Sequence, residues 1–374
     1  MAIKILFTAD NHIGISYSSF PKSKQQLLDE RIRSFENMVQ YANDNQMNYF
    51  IIGGDLFDKT SVGDKTIKEI TGILKKFEGE LVVVIPGNHD FYETSTNSLW
   101  SKFCENVNPE KVVVLKEYEM FDHQLGDQLI HFYPAGCRSI HSDKNMIGWI
   151  NKAEKNKESI NIGIAHGNVS DLGIDDADRY FNMTKDELKS CNMDLWLLGH
   201  IHVPYPLNEI VTENPELFMA GTHMPDSWKY KHDGNAWHIE IDDKKKVNAK
   251  RFKPTETKIN DINYNVNSKS EIDLLEKKLN EYNKAQTALR LTIKGRLDDD
   301  NKNYLHELIK TKEAEFLTLD FTDQVSKKID GSLINQHYPN GSLPHVLLTE
   351  LLNEDPNGTV IQKAFEILDK VKSD

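Results

Sequence analysis

Residues 81–92 read LVVVIPGNHDFY, a continuous apolar run that stops at Pro86 and Gly87 and then delivers Asn88, His89 and Asp90 in a row. A short apolar run bounded by turn residues reads as a fully buried strand. Such a strand commonly ends in a solvated turn whose polar side chains bond their own backbone. An amide, an imidazole and a carboxylate at one strand mouth equally describe a site into which all three point. This stretch alone leaves both readings open, and the rest of the chain decides.

The same arrangement recurs along the sequence. IKILFT (3–8) leads to Asp10-Asn11-His12, and NYFIIG (48–53) leads to Gly54-Asp55. INIGIA (160–165) leads to His166, and DLWLL (194–198) leads to Gly199-His200-Ile201-His202. Helical stretches separate the early runs, the clearest at 22–44 after Pro21, with Leu27, Leu28, Ile32, Phe35, Val39 and Ala42 at helical spacing. Strands alternating with helices predict an α/β layered core. YEMFDHQLGDQLIHFYPA, ELFMAG and AWHIEI add strands expected to pair antiparallel, giving a two-sheet α/β sandwich over 1–255.

Beyond Pro254 the pattern changes. INYNV (262–266), a helical stretch at 269–284, ALRLTIKG (288–295), a polar helix at 300–313 and EFLTLDF (315–321) describe a small α+β cap domain over 256–322. Residues 323–342, polar with Gly331, Pro339 and Gly341, read as a linker, and 343–374 as C-terminal amphipathic helices.

Hydrophobic residues make up 39% and charged residues 28% of the 374, which suits a globular protein with a core. No stretch approaches the ~20 apolar residues of a membrane span, and the apolar run before Asp10 is too short for a secretory core, so a cytoplasmic location is expected. The three cysteines (Cys104, Cys137 and Cys191) form no C-x-x-C pair, which disfavours a disulfide framework or a thiolate zinc site. A net charge of −13 argues against a generic nucleic-acid coat protein. It leaves a nuclease open, because bound divalent ions supply positive charge. The basic run KKKVNAKRFK (244–253) is read as solvated lysines or as a local patch. No G-x-x-x-x-G-K-S/T occurs, so the chain is not its own P-loop ATPase, and neither G-x-S-x-G nor G-x-G-x-x-G is present.

Any one of the polar strand ends has a plain explanation as a cap or turn. Together they put Asp, Asn and His beyond the carboxyl ends of the strands, where ligands collect in open α/β sheets. Imidazole, carboxylate and amide oxygen without thiolate suit manganese, iron or zinc. Seven such ligands exceed one tetrahedral zinc site. They suffice for two ions ~3.5–4 Å apart sharing one carboxylate, for which Asp55 is the natural candidate.

The set DNH (10–12), GDLFD (54–58), GNHD (87–90), AHG (165–167) and GHIH (199–202) resembles the calcineurin-like metallophosphoesterases. The resemblance implies that Asp10, His12 and His202 hold one ion, that Asn88, His166 and His200 hold the other, and that Asp55 bridges them. It implies a catalytic His89 that faces the scissile phosphate and stabilises or protonates the departing oxygen, worth ~10²–10⁴-fold. Asp90 is read as a histidine-orienting acceptor or a turn carboxylate, and Gly87 as the residue that lets backbone and metal approach.

Lys59 and Asp90 stand where the protein serine/threonine phosphatases carry arginine and glutamate, and the chain continues past the sandwich. That continuation resembles the SbcD family of DNA repair nucleases, in which the cap grips DNA and C-terminal helices dock on an SbcC-type coiled-coil ATPase. The resemblance implies a two-metal, manganese-dependent double-strand DNA exonuclease and single-strand endonuclease, acting with such a partner and forming a homodimer. The alternative is a stand-alone phosphodiesterase or phosphatase on nucleotides or phosphoproteins. Asp58 replaces a histidine found in some members and reads as a residue steering a DNA end or as a turn carboxylate. In the loop AGTHMPDSWKYKHDG (220–234), Trp228, Lys229 and Lys231 are candidate substrate contacts by stacking and phosphate pairing, or else pack the sandwich edge; His223 has no assigned role.

Overall fold

A computed structural model describes residues 2–172, 181–212, 214–229, 232–354 and 358–373. The chain divides into two units, residues 1–259 and 260–374.

In the first unit strand parity decides which layer each side chain joins, because successive side chains on a strand point to opposite faces. The strands are β1 (Ile3–Thr8), β2 (Tyr49–Ile52), β3 (Leu81–Val84), β4 (Val112–Val114), β5 (Phe121–Leu125), β6 (Gln128–Ala135), β7 (Ile160–His166), β8 (Leu195–Gly199), β9 (Ile210–Val211), β10 (Leu217–Met219), β11 (Ala236–Ile241) and β12 (Val247–Phe252). They form one sheet in the order β4-β3-β2-β1-β11-β12-β9 and a second in the order β10-β8-β7-β6-β5. Ile3, Ile5 and Phe7 of β1 face inward with Ile51 and Val83. They meet Phe132, Ile162, Ile164 and Leu197 of the second sheet. Leu6, Phe50, Ile52, Val82 and Val84 face outward, beneath helices α1 (Lys24–Asp44), α2 (Asp64–Leu74) and α3 (Leu99–Glu105). On the far side, Ala165, Trp196 and Leu198 carry the helical segments at 147–152 and 185–190. The result is a layered α/β/β/α sandwich, the fold class expected from the sequence.

β1 to β4 run parallel, as do β6, β7, β8 and β10. The carboxyl ends of β1, β2 and β3 therefore open at one edge of their sheet, and those of β7 and β8 at one edge of theirs. The antiparallel expectation holds for the β5–β6 hairpin and for β11, which lies between β1 and β12. It fails for ELFMAG: β10 pairs parallel with β8, since the long connection between them returns the chain to the starting end of the sheet. On α1 the buried face is Leu27, Arg31, Ser34, Phe35, Met38, Val39 and Ala42, rotated from the apolar stripe because it takes in Arg31.

The second unit has its own core. Strands β13 (Lys258–Val266), β14 (Thr287–Leu297) and β15 (Thr318–Lys327) form a sheet in that order, with β14 and β15 parallel across a helix at Asp299–Glu313. Val266, Ile272, Leu275, Leu291, Ile293 and Leu305 belong to that core. The stretch 323–342, expected as a linker, instead completes β15 and forms a helix at Gly331–His337. Asp330 caps this helix by accepting the Leu333 N–H at 2.8 Å. Ile329, Leu333, Ile334 and Tyr338 then bury against Leu348, Ile361 and Phe365 of helices Leu343–Glu354 and Thr359–Ser373. A few apolar residues spaced for one helical face sufficed to order a segment whose overall composition is polar.

All five tryptophans (100, 149, 196, 228 and 237) lie in the first unit, so indole fluorescence follows that unit. Ile162→Ala, emptying a fully buried inter-sheet position, should destabilise it by about 2–5 kcal/mol. Urea unfolding followed by fluorescence checks this, and an unshifted midpoint would place Ile162 outside the core.

Candidate metal centre

The loops leaving β1 and β2 run side by side. Asp10 N–H donates to Gly54 O (3.1 Å), His12 N–H to Asp55 O (2.9 Å), and Asp58 N–H to Ile13 O (3.1 Å). These bonds hold Asp10, His12 and Asp55 at φ of 51°, 43° and 50°, and His200 stands at 96°. Non-glycine residues rarely occupy that left-handed region, and strain of this kind gathers at functional sites.

The seven candidate ligands converge. Asn88 Oδ1 lies 3.0 Å from His166 Nε2 and 3.1 Å from His200 Nδ1. Asp55 Oδ2 lies 3.3 Å from His166 Nε2 and 3.6 Å from His12 Nε2. His12 Nε2 and His202 Nε2 are 3.1 Å apart. Asp10 accepts the backbone N–H of His200 (2.9 Å), and its carboxylate lies within 4.8 Å of the donor atoms of both His12 and His202. Asp55 thus stands between a His12–His202–Asp10 group and an Asn88–His166–His200 group.

The outer ring nitrogens decide which atoms face inward. His166 Nδ1 donates to Gly53 O at 2.9 Å, His202 Nδ1 meets Asp226 Oδ2 at 2.7 Å, and His12 Nδ1 lies 3.4 Å from Asp58 Oδ1. Partners of this kind fix the tautomer of a metal-binding histidine. With Nδ1 protonated, His12 and His202 aim two Nε2 lone pairs at each other across 3.1 Å, an arrangement that repels unless a proton or a cation lies between them. These residues therefore fit a divalent metal by donor type and by lone-pair direction.

Burial strains the charges in the same sense. Burial raises Asp10 above the usual carboxylate range, against the pull of His166 and His202. Burial acts the same way on Asp55, but His166 overrides it and holds Asp55 far below that range. Burial alone would lower His166, yet Asp55 lifts it to about 9. Burial and then the charge of His166 push His200 down to about 3. Buried carboxylates and imidazoles are costly unless paired or metal-bound.

Two glycines make the packing possible. A Cβ on Gly54 would overlap His166 Nδ1, and one on Gly87 would overlap Asp55 Oδ1 and its backbone nitrogen. Gly87, expected to admit a metal to the backbone, admits the Asp55 carboxylate. Asp90 orients no histidine: its Oδ1 accepts the Gly87 N–H (2.7 Å), its Oδ2 accepts the Phe57 N–H (3.0 Å), and its carbonyl accepts the Trp100 indole N–H. It staples the second and third loops, while burial and the neighbouring Asp55 charge raise it to about 7.

His89 is exposed at the rim. Its backbone N–H donates to Asp55 Oδ1 (2.8 Å), its Nδ1 lies 3.0 Å from Asp58 O, and its ring meets His12 edge-on at 4.7 Å.

Residues 3–204, more than half of the chain, match the family model described as calcineurin-like phosphoesterase. The chain belongs to the calcineurin-like phosphoesterases. It is similar to a Bacillus subtilis (strain 168) protein named uncharacterized metallophosphoesterase YhaO, at 26% identity over 233 residues, 59% of this chain and 52% of that protein. The chain thus spans about half the length of that relative. The family is one of metal-dependent phosphoesterases, and Asp10, His12, Asp55, His89, His166 and His202 form groups that could hold a metal ion. Among the described residues no helix is long and apolar enough to cross a membrane.

Trp228 packs on Phe20 with ring centroids 4.7 Å apart, which favours the edge-packing alternative; Lys229 is exposed, and Lys231 lies outside the described residues. Half of the basic run is engaged: Lys245 pairs with Asp194 (2.9 Å), Lys253 with Glu209 (3.3 Å), and Arg251 lies over Trp237. Sequence reasoning missed Asp226 and Arg31 and left His223 without a role. Arg31, fully buried, donates to Tyr17 Oη (2.8 Å), Asn11 O (2.5 Å) and Met224 O (3.2 Å). His223 faces Asn11 Nδ2 (3.1 Å) and Arg31 O (3.0 Å). Only Arg31 left a signal, a cation four residues after Leu27 and four before Phe35 on an apolar face.

Burial, then the Arg31 charge, holds His223 down to about 3. Below the ordinary value of 6.5 the unfolded chain takes up a proton that the folded chain refuses until about 3. Stability must therefore fall as pH drops through that window. In metal-free protein, urea unfolding near neutrality and at about pH 4.5 should show a smaller acid loss for His223→Asn than for wild type. Equal losses would contradict a buried neutral ring.

Proposed function

We propose that the chain is a two-metal, manganese-dependent DNA nuclease, cutting duplex ends and single strands, of the SbcD type. The observation that carries the reading is the convergence of Asp10, His12, Asp55, Asn88, His166, His200 and His202 around one buried carboxylate. Asp10, His12 and His202 would hold one ion, Asn88, His166 and His200 the other, and Asp55 both. When bound, the ions supply Lewis acidity to the phosphate and acidify water.

The chain's own residues do the rest. Asp226 and Asp58 orient His202 and His12 through their outer nitrogens. The Asp58 carbonyl, accepting from His89 Nδ1, leaves Nε2 of that exposed ring for the phosphate. As an imidazolium, with Nδ1–H held by that carbonyl, His89 donates its Nε2 proton to the departing oxygen and is left as the neutral Nδ1–H ring. Asp58 thus supports the site from both its carboxylate and its carbonyl.

DNA is favoured over a small phosphodiester by two features. A cleft of about 680 Å³, lined by the residues that follow His12 and Asp58 in sequence, carries Lys24, Arg33, Lys59 and Lys65 alongside Asp29, Glu36 and Glu69; its cations would meet backbone phosphates. The chain also continues into a separately cored second unit. Exposed Leu343, Val346, Leu347, Val360, Ile367 and Val371 on its terminal helices would give an SbcC-type ATPase a docking face. A homodimer and a cytoplasmic setting belong to the same proposal.

Incubation of the purified chain with manganese and a labelled linear duplex, with and without such an ATPase, tests the reading. Turnover of a small chromogenic phosphodiester without DNA cleavage would replace it by the stand-alone phosphodiesterase. His89→Ala should lower DNA turnover by ~10²–10⁴-fold at unchanged metal content, whereas an unchanged rate would remove His89 from the chemistry. Asp226→Ala should weaken manganese binding by about 10–100-fold, measured by calorimetry, and unchanged affinity would make its contact with His202 incidental.

A further inference from the structure

A second cluster lies just beyond the GNHD loop, formed by residues the metal centre does not use. The Arg138 guanidinium sits over the Tyr118 ring at 4.7 Å and the Tyr92 ring at 5.7 Å, and Lys116 Nζ lies 5.4 Å from the Tyr92 ring centroid. Both rings are held at half exposure: the Tyr92 backbone N–H donates to Cys137 O (3.0 Å), and Tyr118 Oη to Gly136 O (2.9 Å). Arg138 and Lys116 are exposed. Among the described residues the carboxylate within ion-pair reach of either is Glu117, 2.8 Å from Arg138. Folding gains little from this arrangement, since exposed cation–π contacts are worth only about 0.5–1 kcal/mol.

Its location is what gives it meaning. Tyr92 follows His89 by three residues, so their Cα atoms lie at most about 11 Å apart. Cys137, whose carbonyl holds Tyr92, has its Sγ 3.6 Å from the carbonyl of His166. The platform is therefore anchored to the loops of the metal centre, next to where a scissile phosphate would lie.

We propose that Tyr92, Tyr118, Arg138 and Lys116 form a subsite for unpaired nucleic acid. On binding, the two exposed cations swing from over the rings to the neighbouring backbone, and the aromatic faces they vacate stack a base flanking the scissile phosphate. The inference rests on the nuclease reading. Stacking between ring and base is open to a single strand and closed to a base inside a duplex, so the platform selects unpaired substrate.

Fluorescence anisotropy of a labelled oligothymidylate, without divalent metal and across a salt titration, tests the assignment. Tyr92→Leu should weaken binding about tenfold with an unchanged salt slope, while Tyr92→Phe retains affinity. Arg138→Gln should flatten the salt slope by about 0.7, the share of one phosphate contact on a single strand. With manganese present, kcat/KM on the oligonucleotide relative to a small chromogenic phosphodiester should fall in Tyr92→Leu and Arg138→Gln. If these variants bind like wild type while wild type cleaves the oligonucleotide, the platform is wrong and the nuclease reading stands. Equal losses on duplex and single strand would overturn the stacking role. A wild type that neither binds nor cleaves the oligonucleotide brings down both.

Discussion

The buried carboxylate of Asp55 is the constraint around which the first unit is arranged. One oxygen accepts the His89 N–H at 2.8 Å, and the other stands 3.3 Å from His166 and 3.6 Å from His12. His166 ends a strand of one sheet, whereas Asp55 follows a strand of the other. The inter-sheet core of Ile5, Ile51, Ile162 and Leu197 must therefore register the two sheets closely enough for this contact to form. Gly54 and Gly87 follow from the same requirement, since a methyl group at either would occupy space held by His166 or Asp55. Charges so placed attract strongly in a low dielectric, which is why the pairing sets His166 high and Asp55 low.

Holding that geometry has a conformational cost. Asp10, His12, Asp55 and His200 occupy the left-handed region, at about 1–3 kcal/mol for each such residue. The strain persists because neighbouring structure leaves those loops no alternative. Backbone bonds tie the first loop to the second, Asp90 staples the second to the third, and Arg31 joins the first loop to the 223–226 segment. The donor atoms are thereby preorganised, and a cation entering this centre meets ligands that need little rearrangement. Metal binding to a site absent from the unfolded chain also stabilises the fold.

Most of this architecture could be read from residues in their local setting. A buried strand followed at once by Asp, Asn or His states both its layer and its chemistry, and the parallel order of β1, β2, β3, β7 and β8 then gathers those strand ends. What could not be read depends on contacts between remote positions. Asp226 supports His202 across 24 residues, and His223 reaches Asn11 across 212. Neither distance leaves a periodicity. The loop with Trp228 has the composition of a nucleic-acid contact, yet its indole is taken up by Phe20; composition does not distinguish a ring that faces solvent from one that faces a neighbour. The 323–342 stretch misled for the opposite reason, since its few apolar residues are enough to bury one helical face.

The candidate ligands and the residues that orient them occupy one part of the chain. Every candidate ligand, the histidine at the rim, and the carboxylates that orient the imidazoles fall between residues 10 and 226, inside the first unit. The second unit folds around its own apolar core and supplies none of them. Within the first unit two groups lie close to the centre in sequence without joining it: the mixed-charge cleft takes in Ile13 and Lys59, and the tyrosine–arginine cluster follows His89. Among the described residues neither Lys24, Lys59 and Lys65 nor the tyrosine–arginine cluster makes an ion pair with Asp10, Asp55 or Asp90, so the Asp55 geometry does not depend on them.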